Sequence, residues 1–480
     1  MATTTATDYG IVLGGKTVAT GNAYEVKSPY DGEAVATIHR AGPAEIEDAI
    51  ARAVAAFQTT RKLPSWRRAE ILGKVADGIQ AARDDFARTI ALEAGKPIRT
   101  ARGEADRAVF TFRTAAEEAK RIYGEIVPLD WLPGNEGRVA HVRRVPLGPI
   151  AGITPFNFPI NLVAHKVAPA MAAGNPIVIR PASQTPISAL KLAQIVLEAG
   201  WPEDAIAVVP SSTADAAPLV ADDRIKLLTF TGSPVVGWGL KAKAGMKRVT
   251  LELGGNAAVI VHEDADADYA AERVVWGGTT NTGQTCISVQ RVFAHESLDG
   301  FQDELVRRFE ELVTGDPLDE ATDVGPLIDA DNAVRVEQWI AEAVDAGATL
   351  LTGGGRDGNV VEPTILADLD PAMRVSCEEV FGPVIGLTRY SDPLEAIDAA
   401  GDSEFGLQAG LFTNDMRLVD AAFDRIEVGG LMVNDVSTFR IDHMPYGGSK
   451  RSGAGREGLR YAIEEMTELK LLTFNPRPGA

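Results

Sequence analysis

Cysteine is nearly absent: the 480-residue chain has two, Cys286 and Cys377, which cannot build a disulfide framework and fit a reducing compartment. Long apolar runs are missing as well, so no segment is expected to cross a bilayer. There is no basic surplus. With 67 acidic against 47 basic side chains the net charge is -20, which repels polyanions and excludes nucleic acid and anionic membrane as expected partners. The opening "MATTTATDYG" has neither a basic nor an apolar targeting region, so a cytoplasmic protein is expected, with these ten residues as a loose tail. Internal repeats and low-complexity tracts are also lacking.

What is present is an ordinary globular composition, 45% hydrophobic and 24% charged, at a length that calls for two or three domains. Between Pro43 and Gly95, apolar residues recur every three or four positions, predicting two amphipathic helices, the second capped by Gly95. After residue 145, short β-rich runs such as "GPIAGITP", "PIVIRP", "AIAVVP" and "KLLTFTG" alternate with helical ones. A second alternation begins at "AAVIV". The reading is an α/β protein of two units divided near Gly254 and Gly255. "EIVPLDW" with "GRVAHVRRVPLG", and "TELKLLTF" near the C-terminus, predict strands outside both units, whose edges invite a second subunit.

Three short stretches carry candidate chemistry. Cys286 ends the polar run "NTGQTC", suited to a turn that feeds a thiol into a cleft. It reads either as an inert packed cysteine or as a nucleophile, and a nucleophile needs a base and oxyanion donors. Glu252 in "TLELGGN" lies between leucines at a strand end, where burial would raise its proton affinity toward that of a general base. Asn157 in "TPFNFPINL" is either a turn cap or an amide donor for an oxyanion.

Taken in order, "PFNFP", "FTGS", "ELGGN", "GQTC" and "EEVFGPV" resemble the aldehyde dehydrogenase superfamily from about residue 20 to about residue 475. The flavour is that of semialdehyde, lactaldehyde and non-phosphorylating glyceraldehyde-3-phosphate enzymes. The resemblance implies a Rossmann-like cofactor domain (1–125 and 147–254), an α/β catalytic domain (255–450) and a β oligomerisation arm (126–146 and 469–480), assembled as a homodimer or homotetramer. It implies that Cys286 attacks the aldehyde, that Asn157 and the Cys286 N–H hold the oxyanion, and that Glu252 activates water to hydrolyse the thioester. Lys166 and Glu468 resemble a proton relay behind the base, or else are a helix-surface lysine and an edge-strand carboxylate.

For the cofactor, NAD or NADP, the resemblance places Gly232 and Ser233 under the pyrophosphate at a helix N-terminus. Glu379 and Phe381 fall by the nicotinamide ribose and ring, with Pro155, Phe156, Val236 and Leu253 along the crevice. At the adenosine end Arg180 and Ser183 stand where relatives often have lysine and glutamate. With no carboxylate to repel a 2'-phosphate, and an arginine to pair with one, the balance leans slightly to NADP. Arg107 and Arg440 match positions of arginines that hold anionic groups of small aldehydes, or else are ordinary solvated arginines; Phe158 and Thr285 are expected beside the substrate. Phosphate-specific relatives carry arginine at the position of Thr285, so the resemblance favours a carboxylate semialdehyde, a small hydroxyaldehyde or a broad range over a dedicated phosphate substrate. The rival readings are a CoA-acylating dehydrogenase, which generally lacks a residue like Glu252, a non-redox cysteine hydrolase, and a non-catalytic protein on the same fold. Cys377 reads as structural.

Overall fold

The computed structural model describes residues 7–475. Two sheets organise it. The first has eight strands, and its five central ones are parallel: Arg248–Glu252, Leu227–Thr231, Ile150–Ile153, Ile177–Arg180 and Ile206–Val208, in that spatial order. These strands read as unbroken apolar runs because both faces are covered by helices. The fully buried helix Asn161–Ala173 and the helix Ile187–Glu198 follow two of them. Antiparallel strands Ile11–Leu13 and Lys16–Val18 close one edge, and Gly453–Ala454 closes the other.

The spatial order reverses between Ile150–Ile153, the earliest parallel strand of this sheet, and Leu227–Thr231. Chain connections leave these two neighbours toward opposite sides, which opens a crevice at their carboxyl ends, where ligands of open α/β sheets bind.

The second sheet runs Thr349–Thr352, Thr364–Ala367, Val384–Tyr390, Val289–His295, Ala257–Val261, Gln408–Phe412, Gly430–Val433, all parallel except the first. The chain passes from one sheet to the other between Glu252 and Ala257 and returns to the first sheet at Gly453. A third sheet projects from the body: Thr467–Phe474 pairs antiparallel along its whole length with Val139–Pro146, which also pairs with Glu125–Pro128. The predicted outlying strands therefore satisfy one another first. Seven of the eight residues of Thr467–Phe474 are nevertheless exposed, Leu469, Leu471, Leu472 and Phe474 among them.

Two expectations are corrected. The apolar pattern from Ser65 to Gly95 is two helices, Ser65–Ala81 and Arg83–Ala94, broken where Ala82 leaves helical geometry (φ -98°, ψ 15°). The amphipathic period continues across that break, so spacing alone hides it; Gly95 does cap the second helix, in the left-handed region at φ 69°. The loose tail is also shorter than ten residues, because Thr7–Tyr9 pairs with Ala34–His39; residues 1–6 lie outside the described residues, as do 476–480 of the expected arm.

Candidate active site

The crevice opens into a cavity of about 1040 Å³ between the two sheets, lined by Pro155, Phe156, Asn157, Gly232, Ser233, Glu252, Leu253, Cys286, Glu379 and Phe381 among others. Sequence positions far apart meet here: Asn157, Glu252 and Ser233 lie at or just past the ends of strands of the first sheet, while Cys286, Glu379 and Phe381 lie in the turns that lead into strands Val289–His295 and Val384–Tyr390 of the second. Thr154 to Asn157 follow Ile150–Ile153; Gly232 and Ser233 follow Leu227–Thr231 and start the helix Pro234–Lys243, with Pro234 in its first turn. This helix N-terminus, facing a cleft at the strand reversal, fits a pyrophosphate.

Nearby, Glu379 accepts a hydrogen bond from the Gly255 N–H at 2.9 Å. Burial pushes its carboxyl up to about 7, against the pull of that N–H and of Arg335. Phe156 and Phe381 meet edge to face at 5.9 Å, and make an apolar wall. At the far end the Arg180 guanidinium donates to the Ser211 carbonyl at 3.1 and 3.3 Å, and the Ser183 carbonyl accepts from the Tyr24 hydroxyl at 3.0 Å. Val236 is exposed on the helix that begins at Pro234. Arg180, Ser183 and Val236 do not line this cavity.

The loop ahead of Cys286 has an unusual backbone. Asn281, Thr282 and Gly283 all lie in the left-handed region, at φ 54°, 57° and 69°. Two non-glycine residues held there cost of order 1–3 kcal/mol each, strain that surrounding contacts must over-determine. Those contacts are present: Asn281 Nδ2 donates to the carbonyls of Asn157 and Gln284, and Thr282 Oγ1 bridges to Gly325. Asn157 Nδ2 also donates to the Gln284 carbonyl, at 2.9 Å, so the amide and the cysteine loop are tied together with one amide N–H to spare. Among the described residues the Cys286 N–H has no acceptor. Two unused donors thus belong to residues that line the same cavity, the kind of donor pair an oxyanion needs.

Glu252 ends its strand pinned by its own carbonyl, which accepts from the Gly232 N–H. Its side chain is 3% exposed, and neither carboxylate oxygen has a hydrogen-bond partner. Burial first, and then the charge of Glu457, hold its proton affinity well above the usual carboxylate range, while Arg440, Lys166 and Arg456 pull the other way. The Cys286 thiol is also pushed up, to about 11, by burial with help from Glu379 and Glu252; the Tyr446 hydroxyl and Arg440 oppose this.

Lys166 is fully buried and donates to Thr231 Oγ1 at 2.7 Å and Thr229 Oγ1 at 3.1 Å. Its carboxylate partner is Glu457, at 3.3 Å. Glu468 is elsewhere: it is exposed on the arm and pairs with Arg248 at 2.6 Å. The expectation that Glu468 stands behind the base is therefore replaced by Glu457, because a carboxylate that serves a buried lysine must itself be buried.

At the closed end of the cavity, Arg107 and Arg440 are organised by a residue that the sequence did not single out. Asp442, 2% exposed, takes two hydrogen bonds from Arg107, at 2.6 and 3.2 Å, faces His165 Nε2 at 3.0 Å, and lies 3.7 Å from Arg440 Nε. Burial by itself would raise its carboxyl, but Arg107 and His165 hold it well below the ordinary range. Arg440 donates to Glu457 at 3.1 Å and stacks with its Cζ 3.5 Å from the Tyr446 ring centroid. Phe158 lies beneath Arg107, 5.5 Å away, and carries the buried Lys96 ammonium 3.7 Å over its ring. Thr285 is buried with its hydroxyl unpaired.

Residues 17–472 match the aldehyde dehydrogenase family. This chain belongs to it. The 3-sulfolactaldehyde dehydrogenase of Priestia megaterium is 46% identical over 469 residues, 97% of this chain and 98% of that protein. Aldehyde dehydrogenase 21 from Physcomitrella patens, in complex with the reaction product succinate, is 42% identical with a TM-score of 0.96, over 98% of each chain. Glyceraldehyde-3-phosphate dehydrogenase GapN from Methanocaldococcus jannaschii, complexed with NADP, is 38% identical with a TM-score of 0.91, over 95% of this chain and 100% of that one. The protein is an NAD(P)-dependent aldehyde dehydrogenase, with the parallel-sheet fold of that family, and it oxidises a small aldehyde to the carboxylic acid.

In this aldehyde dehydrogenase, Asp442, Glu457, His165 and Tyr446 are the site residues missed by sequence reasoning. A signal existed for two: Asp442 follows two residues after Arg440, and Tyr446 sits in the same "RIDHMPYGG" stretch. Neither lies on a periodic element that would place it.

Proposed function

We propose that the substrate is a short aldehyde whose far end carries a sulfonate or carboxylate. The observation that supports it is the charge of the cavity's closed end. Arg107, Arg440 and Lys166 supply three cations against two carboxylates, Asp442 and Glu457, which leaves one positive charge in surplus while the neighbouring Glu252, its proton affinity raised, holds its proton. Lys96 is neutralised by Glu104 and does not alter this. In a chain of net charge -20, such a local focus favours an anion. Each arginine keeps one terminal nitrogen without a protein acceptor among the described residues. A sulfonate in the Priestia megaterium relative's substrate and succinate in the Physcomitrella patens complex agree with this reading. Thr285, small and neutral, adds no further cation for a phosphate dianion.

Catalysis follows from the geometry. The Cys286 sulfur, as thiolate once its proton has passed to solvent, attacks the aldehyde carbon; the oxygen gains the negative charge and is held by the Cys286 N–H and the spare N–H of Asn157. Gly232, Ser233, Leu253, Glu379, Phe381, Pro155 and Phe156, with Val236, Arg180 and Ser183, would hold NAD(P), which would supply the acceptor for the hydride. Glu252 then takes a proton from water as its oxygen attacks the thioester carbon; the carbon–sulfur bond breaks, the acid leaves, and the thiolate is restored. Lys166 with Glu457 carries the surplus proton from Glu252. Arg180, with no carboxylate at position 183, supports acceptance of NADP.

The exposed leucines and Phe474 on the Thr467–Phe474 strand support a homodimer or homotetramer built on that edge. A reactive free thiol fits a reducing, cytoplasmic setting. Among the described residues no helix is long and apolar enough to cross a membrane.

The test is steady-state kinetics with NADP and NAD over sulfolactaldehyde, succinate semialdehyde and a neutral aldehyde of similar length. Arg440→Ala and Arg107→Ala should each raise KM for the anionic aldehydes by 10-fold or more, the loss of about one charged hydrogen bond, and change the neutral one little. Equal effects on both classes would refute the anion reading.

A further inference from the structure

We infer that Tyr446 is a catalytic residue of this enzyme, donating its phenol hydrogen bond to the Cys286 sulfur in the thiolate form. The inference rests on the reading of Cys286 as nucleophile. Tyr446 Oη lies 2.9 Å from Cys286 Sγ, inside hydrogen-bond range for sulfur, and Tyr446 is 3% exposed. Its ring is clamped from behind by the Arg440 guanidinium at 3.5 Å, and Arg440 is itself held by Glu457. The chain Glu457, Arg440, Tyr446, Cys286 thus fixes the direction of the hydroxyl.

Chemistry decides what the contact does. With a thiol, either atom can donate and the bond is weak. A thiolate is acceptor only, so the phenol must donate, and a hydrogen bond to an ion is about twice as strong as a neutral one. The contact therefore favours the ionised sulfur selectively. Tyr446 keeps its proton to do this, since burial and the neighbouring sulfur hold its ionisation well above 10 despite the pull of Arg440. No proton is transferred between the two groups.

The charged and titratable groups that act on the sulfur are Tyr446 and Arg440, which favour thiolate, and Glu379 and Glu252, which oppose it. Of these only Tyr446 touches it through a hydrogen bond. Arg440 acts through the ring, as a positioning residue. This separates its two roles: its free terminal nitrogen faces the substrate anion, while its π-face contact polarises the phenol.

The experiment is the rate of Cys286 alkylation by iodoacetamide against pH in the full-length enzyme, with kcat/KM measured in parallel. Tyr446→Phe keeps the ring on Arg440 and removes only the hydroxyl. Its thiol midpoint should rise by about one pH unit and its alkylation at pH 8 should slow about tenfold. Its kcat/KM should fall by the same factor for anionic and neutral aldehydes alike, with recovery at higher pH. 3-Fluorotyrosine at position 446, a stronger donor, should move the midpoint below that of the native enzyme. Alkylation of Tyr446→Phe at the native rate or faster, or no response to the fluorinated residue, would overturn the inference. Cys286→Ser tests the underlying reading separately: turnover surviving in that variant removes the nucleophile, whatever Tyr446 does.

Discussion

Replacing Gly255 with alanine should cripple turnover while leaving the protein folded. Gly255 packs against the carbonyl of Cys286, and a Cβ at this position would fall deep inside that oxygen's van der Waals envelope. The next neighbours, the Cys286 carbonyl carbon at 3.5 Å and Leu407 Cβ at 3.6 Å, would stand at ordinary contact, so the strain falls on one backbone atom. A carbonyl cannot swing aside as a side chain can. Relief therefore requires about 1 Å of displacement in the peptide that carries the nucleophile, because comfortable contacts lie near ~3.5 Å. A misplacement of about 1 Å at a reacting centre costs roughly 100-fold in rate, or ~2.7 kcal/mol of barrier. Overpacking one methyl costs only about 1–3 kcal/mol of stability, which over a chain of this size lowers Tm by about 1–3 °C. The assay is the initial rate of NAD(P)H formation at saturating substrate, beside a thermal melt. A folded variant whose kcat stays within threefold of the native value would refute the steric coupling of Gly255 to Cys286.

Glu252→Gln should release about one equivalent of reduced cofactor per site and then turn over 10²–10⁴-fold more slowly, read by rapid mixing; a normal steady rate would exclude Glu252 as the base. Because the base must be ionised and its folded value is raised, native kcat should fall as pH drops through a midpoint above the usual carboxylate value of ~4.3. Glu457→Gln removes a negative charge that raises Glu252 and should move this limb to lower pH; an unmoved limb contradicts the coupling. Arg180→Ala should lower kcat/KM for NADP about 10–100-fold more than for NAD, and an unchanged ratio would remove Arg180 from phosphate recognition. Leu469→Lys with Leu471→Lys on the exposed strand should reduce the assembly's sedimentation coefficient, and no change would place the interface elsewhere.

Much of this architecture can be read in the sequence because burial on both faces forces unmixed apolar runs, and "PIVIRP" or "AAVIV" admit little else. Glu252 and Asn157 stand out since each is a polar residue just at or past the end of such a run, where a strand delivers it to a crevice, and Cys286 stands out because it closes a polar turn directly ahead of one. Glu457 does not stand out. It lies in "GAGREG", a glycine-rich turn with no period, and only the reversal after Gly453 brings it against Lys166. Glu468 attracts attention instead because it neighbours the family-like C-terminal stretch, yet its strand forms the outer layer of the arm and turns that carboxylate to solvent. Helix count fails at Ala82 for a related reason: a one-residue break leaves the apolar stripe in phase. Tyr446 is hidden further still, since its meaning depends on a contact across 160 residues.

One consequence joins substrate recognition to the base. Glu457 bonds both Lys166 and Arg440, and its charge together with those two cations adjusts the proton affinity that burial raises in Glu252. An acyl group with an anionic tail seated on Arg440 adds a negative charge in the same enclosed space and uses part of the cation that was lowering Glu252. Both effects favour the protonated carboxyl. At an effective dielectric near ~20, a unit charge some ~10 Å away is worth about 1–2 kcal/mol before the guanidinium's own compensation, leaving a rise of roughly half a unit to one unit. The acid limb of kcat should therefore lie at higher pH for succinate semialdehyde than for a neutral aldehyde of equal length, where deacylation limits both. Profiles that superimpose would mean that the anion binds too far from Glu252 to be felt, and that Arg440 does not hold it.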